Sequence, residues 1–439
     1  MLKKTYKSSQ EDLYRSKLEN LIDLKHPLVL LSAKINWTMF DKEYEKFYKK
    51  DFGRPAKSIR LMVSLQILKY LFNESDESVV ERWRENPYWQ FFSGNEYFQW
   101  QLPCDHSDLV KFRQRIGESG VEKIFQHSIE LHGKKALERE VIPDTTAQEK
   151  NITFPTDTKL HLKIISRCMK LGKKYNVSWR QTYKRTLKRL RFETRYVRIP
   201  RRAKQGRKAI NKIKTIAGRL FRELTRKLSP EVKSAHSKIL IVMKRILEQT
   251  RKSKNKIYSV HEPEVSCIAK GKEHKKYEFG SKVSILITKT SGIIVGALNF
   301  QGNPYDGNTL EPALEQSERL RGVAADKAIV DEGYRGRSRI KNTEILRVHQ
   351  PKKKDYSKQR WRKWFRRRAS VEAVISHLKT DHRVDRNYLS GTIGDSVNLM
   401  LAASAYNFKK LMKDLAFLFR FFKIDFFYLN FLLKNLARP

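Results

Sequence analysis

The sequence predicts a protein of the α+β or mixed α/β class. It has an all-helical N-terminal domain and a second domain whose sheet is interrupted by a basic helical insert. Apolar residues recur at helical spacing up to about residue 135, and short β-branched runs appear between residues 140 and 347. An extremely basic helical stretch separates the first of those runs from the others. With 439 residues, the chain is long enough for two or three folding units.

Residues 1–135 are predicted to form helices. Apolar residues recur at steps of three and four from Leu61 to Phe72, which is the spacing of one helix face. Ser107 is the predicted cap of a later helix that carries three cations, Lys111, Arg113 and Arg115. A basic helix of this kind is typical of a helix-turn-helix that binds DNA. A solvated basic face has the same pattern, so both interpretations stay open.

The charge balance indicates a polyanionic partner. Lys and Arg total 92 against 47 Asp and Glu, a formal net charge of +45. Residues 157–257 hold 33 of these cations and only 5 acids. Charge of this density repels itself unless an anion neutralises it. Nucleic acid is the first candidate, an anionic membrane surface the second, and a ribosome-like RNA scaffold the third.

The element order after residue 135 predicts a mixed sheet with helices packed on it. A short strand ends at Asp144, and the basic insert of residues 157–257 follows. Three strands in succession predict an antiparallel meander, and a helix leads to a strand that ends at Asp331. A further strand, a basic loop and a helix with Glu372 complete the domain at residue 412, before a helical tail at 413–439. This is the element order of the RNase H-like fold.

Asp144, Asp331 and Glu372 are the candidate catalytic residues and metal ligands. Phosphodiester cleavage needs an activated water or hydroxyl, a stabilised leaving oxygen and neutralised phosphate charge, and two divalent ions about 4 Å apart provide all three. Such ions prefer oxygen ligands, so a few carboxylates suffice. One Asp at a strand end is weak support, since it is often a turn residue. Together the three acids predict a site for Mg²⁺ or Mn²⁺, with two ions.

Seven segments carry a resemblance to a known family. Two lie in the helical part, FGRPAKSIRLMVSLQILKYLFNESDESVVERWRENPYWQFF and LPCDHSDLVKFRQRIG. Five follow: PDTTAQEKNITFPTDTKL, HEPEVSCIAKGKEHKKYEFGSKVSI, NPYDGNTLEPAL, VDEGYRG and RRRASVEAVISHLKTDHR. On these segments the chain resembles the bacterial insertion-sequence transposases of the DDE type, between about residues 40 and 412. The resemblance implies an RNase H-like catalytic core in which Asp144, Asp331 and Glu372 hold metal.

The family signature places Tyr, Arg, Glu and Lys with two, three and six residues between them, and the chain has Phe365, Arg368, Glu372 and Lys379 there. Offsets of 3, 7 and 14 residues return to nearly one face of a helix. By this resemblance, Arg368 and Lys379 hold phosphates beside the scissile bond. A solvated helix face is the alternative. Phe365 departs from the signature, because it can stack on DNA but cannot donate a hydrogen bond.

The resemblance implies a transposase that binds double-stranded DNA at element ends, cleaves it with metal and joins the freed 3′-hydroxyl to target DNA. Because two ends must be held together, a homodimer is expected. Two alternatives remain: a transposase-derived DNA-binding protein that does not cut, and a DDE nuclease that does not join. Three cysteines without a CxxC pair predict neither a zinc site nor disulfides. We expect a bacterial cytoplasmic protein at the nucleoid, without a membrane segment.

Overall fold

A computed structural model of the protein describes residues 15–48, 55–250, 252–269, 275–347 and 357–422. Contacts between Cα atoms divide the chain into two compact units. The first comprises Met1–Gln148, Lys282–Phe300 and Pro304–Pro439, and the second comprises Glu149–Ser281 and Gln301–Asn303. The predicted insert therefore lies in the second unit. The N-terminal helices belong to the first unit, together with most of the sheet.

Between residues 15 and 48 and from 55 onward, the N-terminal part of the first unit has six α-helices: α1 Pro27–Lys34, α2 Trp37–Glu45, α3 Ile59–Leu71, α4 Asp76–Glu85, α5 Pro87–Phe92 and α6 His106–Glu130. Nearly every residue of α3 is buried, as expected for a helix that is apolar on most sides. The cap of α6 is Asp105, whose carboxylate accepts a hydrogen bond from the Ser107 backbone, so the predicted cap was two residues late. Gly117, at φ 62°, kinks α6.

Eight strands are present in the described residues: β1 Glu140–Lys150, β2 Ser266–Ala269, β3 Tyr277–Thr288, β4 Ile294–Phe300, β5 Lys327–Val330, β6 Arg339–Ile340, β7 Thr343–Arg347 and β8 Arg386–Asn387. Their order is β2-β3-β1-β5-β7-β6, with β4 beside β3 and β8 beside β1. β1, β5 and β7 are parallel neighbours, whereas β2, β3 and β4 form the predicted antiparallel meander. The predicted mixed sheet is therefore confirmed.

In its described residues, the second unit has five α-helices: α7 Asp157–Lys174, α8 Lys184–Glu193, α9 Ala203–Lys227, α10 Pro230–Ala235 and α11 Ser237–Glu248. They enclose a hydrophobic core of their own that includes Ile164, Ile213, Leu220 and Met243. The long helix α9 is strongly amphipathic, because apolar residues recur at helical spacing along one side and cations occupy the other. The basic stretch is thus a folded helical unit with its charge on exposed faces.

Four α-helices follow in the part of the first unit that the structure describes: α12 Asp306–Arg321, α13 Lys358–Arg368, α14 Ser370–Asp381 and α15 Gly391–Phe422. α13 occupies a stretch predicted to be a basic loop, and that prediction is wrong from residue 358 onward. Trp361 and Trp364 are buried on one side of α13, and this apolar spacing within the arginine run is the helical signal.

α15 crosses the predicted boundary at residue 412, and residues 423–439 lie outside the described part. α15 packs against α1, α3, α6 and β4, so the N-terminal helices and the sheet share one hydrophobic core. In the described ranges, no helix is long and apolar enough to cross a membrane.

Candidate active site

Three carboxylates from distant parts of the chain converge in the first unit. The parallel strands β1 and β5 pair Glu140 with Lys327. Asp144 and Asp331 each lie four positions beyond that pair, so they reach the same level on neighbouring strands, which lie about 4.8 Å apart. Asp331 directly follows β5, as predicted, whereas Asp144 lies inside β1, which continues to Lys150. Glu372 lies in the first turn of α14.

The guanidinium of Arg368 joins the three carboxylates. Its Nη2 atom lies 3.3 Å from Oδ2 of Asp144 and 3.2 Å from Oδ2 of Asp331. Its Nη1 atom lies 2.7 Å from Oε1 of Glu372. Arg368 ends α13 and Glu372 lies in the first turn of α14, so the single-residue break at Ala369 does not disturb this i,i+4 pair. One cation therefore neutralises part of the charge of three acids, and two negative charges are in excess.

Asp144 has the least exposed side chain of the three acids. Burial is the largest cause that raises the pKa of its carboxyl to about 6, and the charges of Asp331 and Glu372 act in the same direction. The positive charge of Arg368 and a hydrogen bond from the Thr145 backbone oppose this rise in pKa. A carboxyl that is costly to ionise gains from an additional cation nearby, so the site favours positive charge.

A fourth acid, Asp306 at the start of α12, lies beside this cluster, and the sequence analysis did not single it out. Its Oδ1 atom accepts a hydrogen bond from the Thr145 hydroxyl at 2.7 Å and lies 2.6 Å from Nζ of Lys282. A side chain at Gly333 would meet Oδ2 of Asp306 at 2.9 Å and Oδ1 of Asp331 at 3.0 Å. The only signal in the sequence was the quoted segment NPYDGNTLEPAL, which contains Asp306.

The chemistry of this donor set fits magnesium or manganese. All three side chains offer hard oxygen ligands, and their excess of negative charge would be reduced by a divalent cation. Within the described residues, no three acid, His or Cys side chains already surround one point closely enough to hold an ion. The guanidinium of Arg368 contacts all three acids instead. Metal binding would therefore require Arg368 to exchange its carboxylate contacts for others.

Comparisons with known proteins agree with this geometry. Residues 16–115 match the family described as Transposase domain (DUF772), and residues 248–408 match the family described as Transposase DDE domain. The chain is 42% identical to an uncharacterised protein, ORF8 of the nfe locus in Rhizobium meliloti, over 194 residues. This alignment covers 43% of the chain and 93% of that protein. No solved structure matches the chain.

The chain belongs to the DDE-type insertion-sequence transposases. Asp331 and Glu372 lie inside the segment that matches the DDE domain, and Asp144 lies between the two matched segments. The structure brings all three acids together around Arg368, and their roles in this transposase remain predictions.

The other signature residues of the transposase lie in different surroundings. Phe365 is half-buried and packs edge-on against Trp361, with ring centroids 5.1 Å apart, so it is part of the protein interior. Lys379 is half-buried two turns beyond Glu372 on α14 and lines a surface groove. The groove also contains cations from the segment that follows α14. Phosphate binding by Lys379 remains a prediction.

One predicted DNA-binding residue of the N-terminal part is placed otherwise by the structure. Arg113 is 6% exposed, and its guanidinium forms a two-pronged ion pair with Asp76, with distances of 2.8 and 2.6 Å. The prediction that Arg113 contacts DNA is therefore wrong, because its guanidinium is buried and paired with Asp76. Lys111 and Arg115 are exposed on the same helix and stay candidates.

Proposed function

We propose that this transposase binds the ends of its element in double-stranded DNA and catalyses metal-dependent strand cleavage followed by strand transfer. The observation that carries the proposal is the convergence of Asp144, Asp331 and Glu372 on one arginine. The catalytic core is proposed to be RNase H-like, because parallel strands β1 and β5 carry two of the acids and a helix carries the third.

The acids would hold one or two Mg²⁺ or Mn²⁺ ions, which when bound supply nucleophile activation and stabilisation of the leaving oxygen. Arg368 has a second role in this proposal. Once it releases the carboxylates, its planar guanidinium can bind two phosphate oxygens beside the scissile bond. Its attachment at the end of α13 keeps it next to Glu372, so the released side chain stays beside the reacting phosphate.

Two displacements at phosphorus make up the reaction. In the first, a water oxygen forms a bond to the scissile phosphorus, and the bond to the 3′-oxygen breaks, leaving a 3′-hydroxyl and a 5′-phosphate. In the second, that 3′-oxygen attacks a target phosphodiester and displaces another 3′-oxygen, so the number of phosphodiester bonds is conserved. Because the chemistry of both steps is the same, one set of carboxylates can serve both.

The test uses the full chain and duplexes made from the DNA that flanks its gene on either side. We expect nicking at the element end with Mg²⁺ or Mn²⁺, no nicking with EDTA, and strand-transfer products in the presence of target DNA. Binding without nicking would overturn the proposed catalytic activity and indicate a DNA-binding protein that does not cut. Nicking without joined products would overturn strand transfer and indicate a nuclease.

We also propose that the active form is a homodimer, because two element ends must be cut and joined together. Sedimentation of the full chain, alone and with duplex ends, would measure its mass. A complex with one chain per two ends would contradict this proposal.

A further inference from the structure

The segment that follows α14 is fixed to the interior at three positions. His382, Val384 and Asn387 are buried, whereas Arg386 and Tyr388 point outward. Burial lowers the pKa of His382 to about 4, so its neutral ring donates a hydrogen bond to the Tyr70 carbonyl at 2.8 Å. These buried positions anchor the backbone from which the outward side chains project.

A buried amide network ties the same segment to the strand that carries Asp144. The side chain of Asn398 donates hydrogen bonds to Gln148 of β1 at 2.9 Å and to the Arg383 carbonyl at 3.2 Å. Its oxygen accepts a hydrogen bond from the Tyr70 hydroxyl at 2.8 Å. Asn387 donates to Asp395 at 2.6 Å. The outward side chains therefore have a set position relative to the carboxylates.

The outward face forms one wall of a groove of about 670 Å³. Three cations line it, Lys379, Arg383 and Arg386, against one acid, Asp385. Tyr388 lines the same groove, is 60% exposed, and has the Arg383 guanidinium 5.5 Å from its ring centroid. An exposed aromatic ring among cations offers both a phosphate-binding and a base-stacking surface.

We propose that this groove binds single-stranded DNA, with Tyr388 stacked on an unpaired base and Arg383, Arg386 and Lys379 on the adjoining phosphates. Duplex DNA keeps its bases stacked on one another, so an exposed ring in a basic groove fits an unpaired strand better. Lys379 lies seven residues beyond Glu372 on α14, about 10 Å along the axis. A strand freed at the carboxylates would therefore reach the groove within a few nucleotides. This inference rests on the proposed function, since cleavage supplies the unpaired strand.

The test measures binding of the full chain, in EDTA, to a fluorescein-labelled oligothymidylate of about 12 nucleotides and to a duplex of unrelated sequence. Tyr388→Ala should weaken oligothymidylate binding about tenfold and leave duplex binding within about twofold, because one stacked base is lost. Tyr388→Phe should bind as the parent does, since it keeps the ring. Trp100→Ala is the matched control, because Trp100 is 79% exposed and does not line this groove.

Arg386→Gln gives a second readout that is independent of stacking. It should reduce the slope of log K against log salt for the oligothymidylate by about 0.7, the value for one phosphate contact on a single strand. Unchanged oligothymidylate affinity in Tyr388→Ala would overturn the proposal. Equal weakening of both probes would also overturn it, since the groove would then bind duplex.

The two proposals fail separately. A parent protein that never nicks element ends, but binds the oligothymidylate through Tyr388, would refute cleavage and leave the groove assignment standing. A parent that nicks, with Tyr388→Ala unchanged in oligothymidylate binding, would refute the groove assignment alone.

Discussion

Two clusters of ion pairs in the first unit have net charges of opposite sign. In the N-terminal helices, Asp76 lies between Arg113 at 2.6 Å and Lys69 at 2.9 Å, so two cations share one acid. Around Arg368, three acids share one cation. The first cluster carries excess positive charge and the second carries excess negative charge.

The clusters also differ in their access to solvent. The side chains of Lys69, Asp76 and Arg113 are 5%, 13% and 6% exposed. Asp331 and Glu372 are 36% and 62% exposed. The cluster around Asp76 is largely buried and its charges are paired with one another, so it stabilises the fold. An open cluster with surplus charge can accept a ligand of opposite sign, which is the property that a metal-dependent enzyme needs.

The largest expected effect is a loss of DNA cleavage when an acid of the cluster around Arg368 is replaced. Glu372→Gln should reduce nicking of element ends by at least about a hundredfold, because it removes a negative charge that holds metal while keeping side-chain volume. The helix should persist, since Gln and Glu have similar helix propensities. DNA affinity should equal or exceed that of the parent.

Glu43→Gln is the control for this substitution, because Glu43 lies on α2, is 36% exposed and pairs with Lys46 at 3.2 Å. It should nick as the parent does. Glu372→Gln nicking within about tenfold of the parent, a barrier difference of about 1.4 kcal/mol, would exclude Glu372 as a catalytic ligand.

The two clusters should also differ in how much each contributes to the free energy of unfolding. Asp76→Asn should lower the free energy of unfolding by about 3–5 kcal/mol, because it leaves two buried cations without their acid. Asp331→Asn should change it by less than about 1 kcal/mol, since Arg368 keeps two acids and repulsion falls. Urea unfolding of both variants measures the difference. Equal losses would break the distinction between a structural cluster and a ligand site.

Acid pH should act on the cluster around Asp76 in a defined window. The hydrogen bond and charge of Arg113, with Lys69, outweigh burial and lower the pKa of Asp76 to about 2 from an ordinary 3.8. A lowered carboxyl pKa contributes stability that is complete above 3.8 and is lost as pH falls through 2. The parent should lose about 2 kcal/mol relative to Asp76→Asn across that window. Parallel acid unfolding curves for the two proteins would contradict this.

Substitutions in the basic insert should have the smallest effect per residue, and the effect should be on DNA affinity. Lys208, Lys212 and Arg219 are exposed on α9. If each contacts a phosphate, replacing all three with Gln should flatten the slope of log K against log salt by about three for every duplex sequence. The oligomeric state and the fold should not change. An unaltered slope would show that this face of the insert does not bind DNA.

The sequence predicted the acid cluster better than it predicted the basic residues. Asp144 and Asp331 were found because each follows a short β-branched run, and the parallel pairing of those runs then aligns them. Arg113 could not be distinguished from Lys111, because both lie on one basic helix and only tertiary packing places Asp76 beside Arg113. Asp306 was missed because its contacts with Lys282 and Thr145 join residues far apart in sequence.

Helix α13 shows why local composition alone did not predict the secondary structure of this segment. Arginines dominate residues 358–368, and this composition was interpreted as a loop. Trp361 and Trp364 bury against the sheet side of the first unit, where the Trp364 indole donates a hydrogen bond to Glu140 of β1 at 3.2 Å. That contact positions the end of α13, and with it Arg368, beside the acids. The packing of two residues thus decides the placement of the cation.

The central claim is that Asp144, Asp331 and Glu372 hold a divalent metal after Arg368 releases them. Mn²⁺ binding to the full chain, measured by electron paramagnetic resonance of the free ion, tests it without any cleavage assay. We expect the parent and Glu43→Gln to bind Mn²⁺ alike, Glu372→Gln to bind at least about tenfold more weakly, and Arg368→Gln to bind more tightly because a competing cation is gone. Mn²⁺ affinity that is the same in the parent and Glu372→Gln would contradict the account.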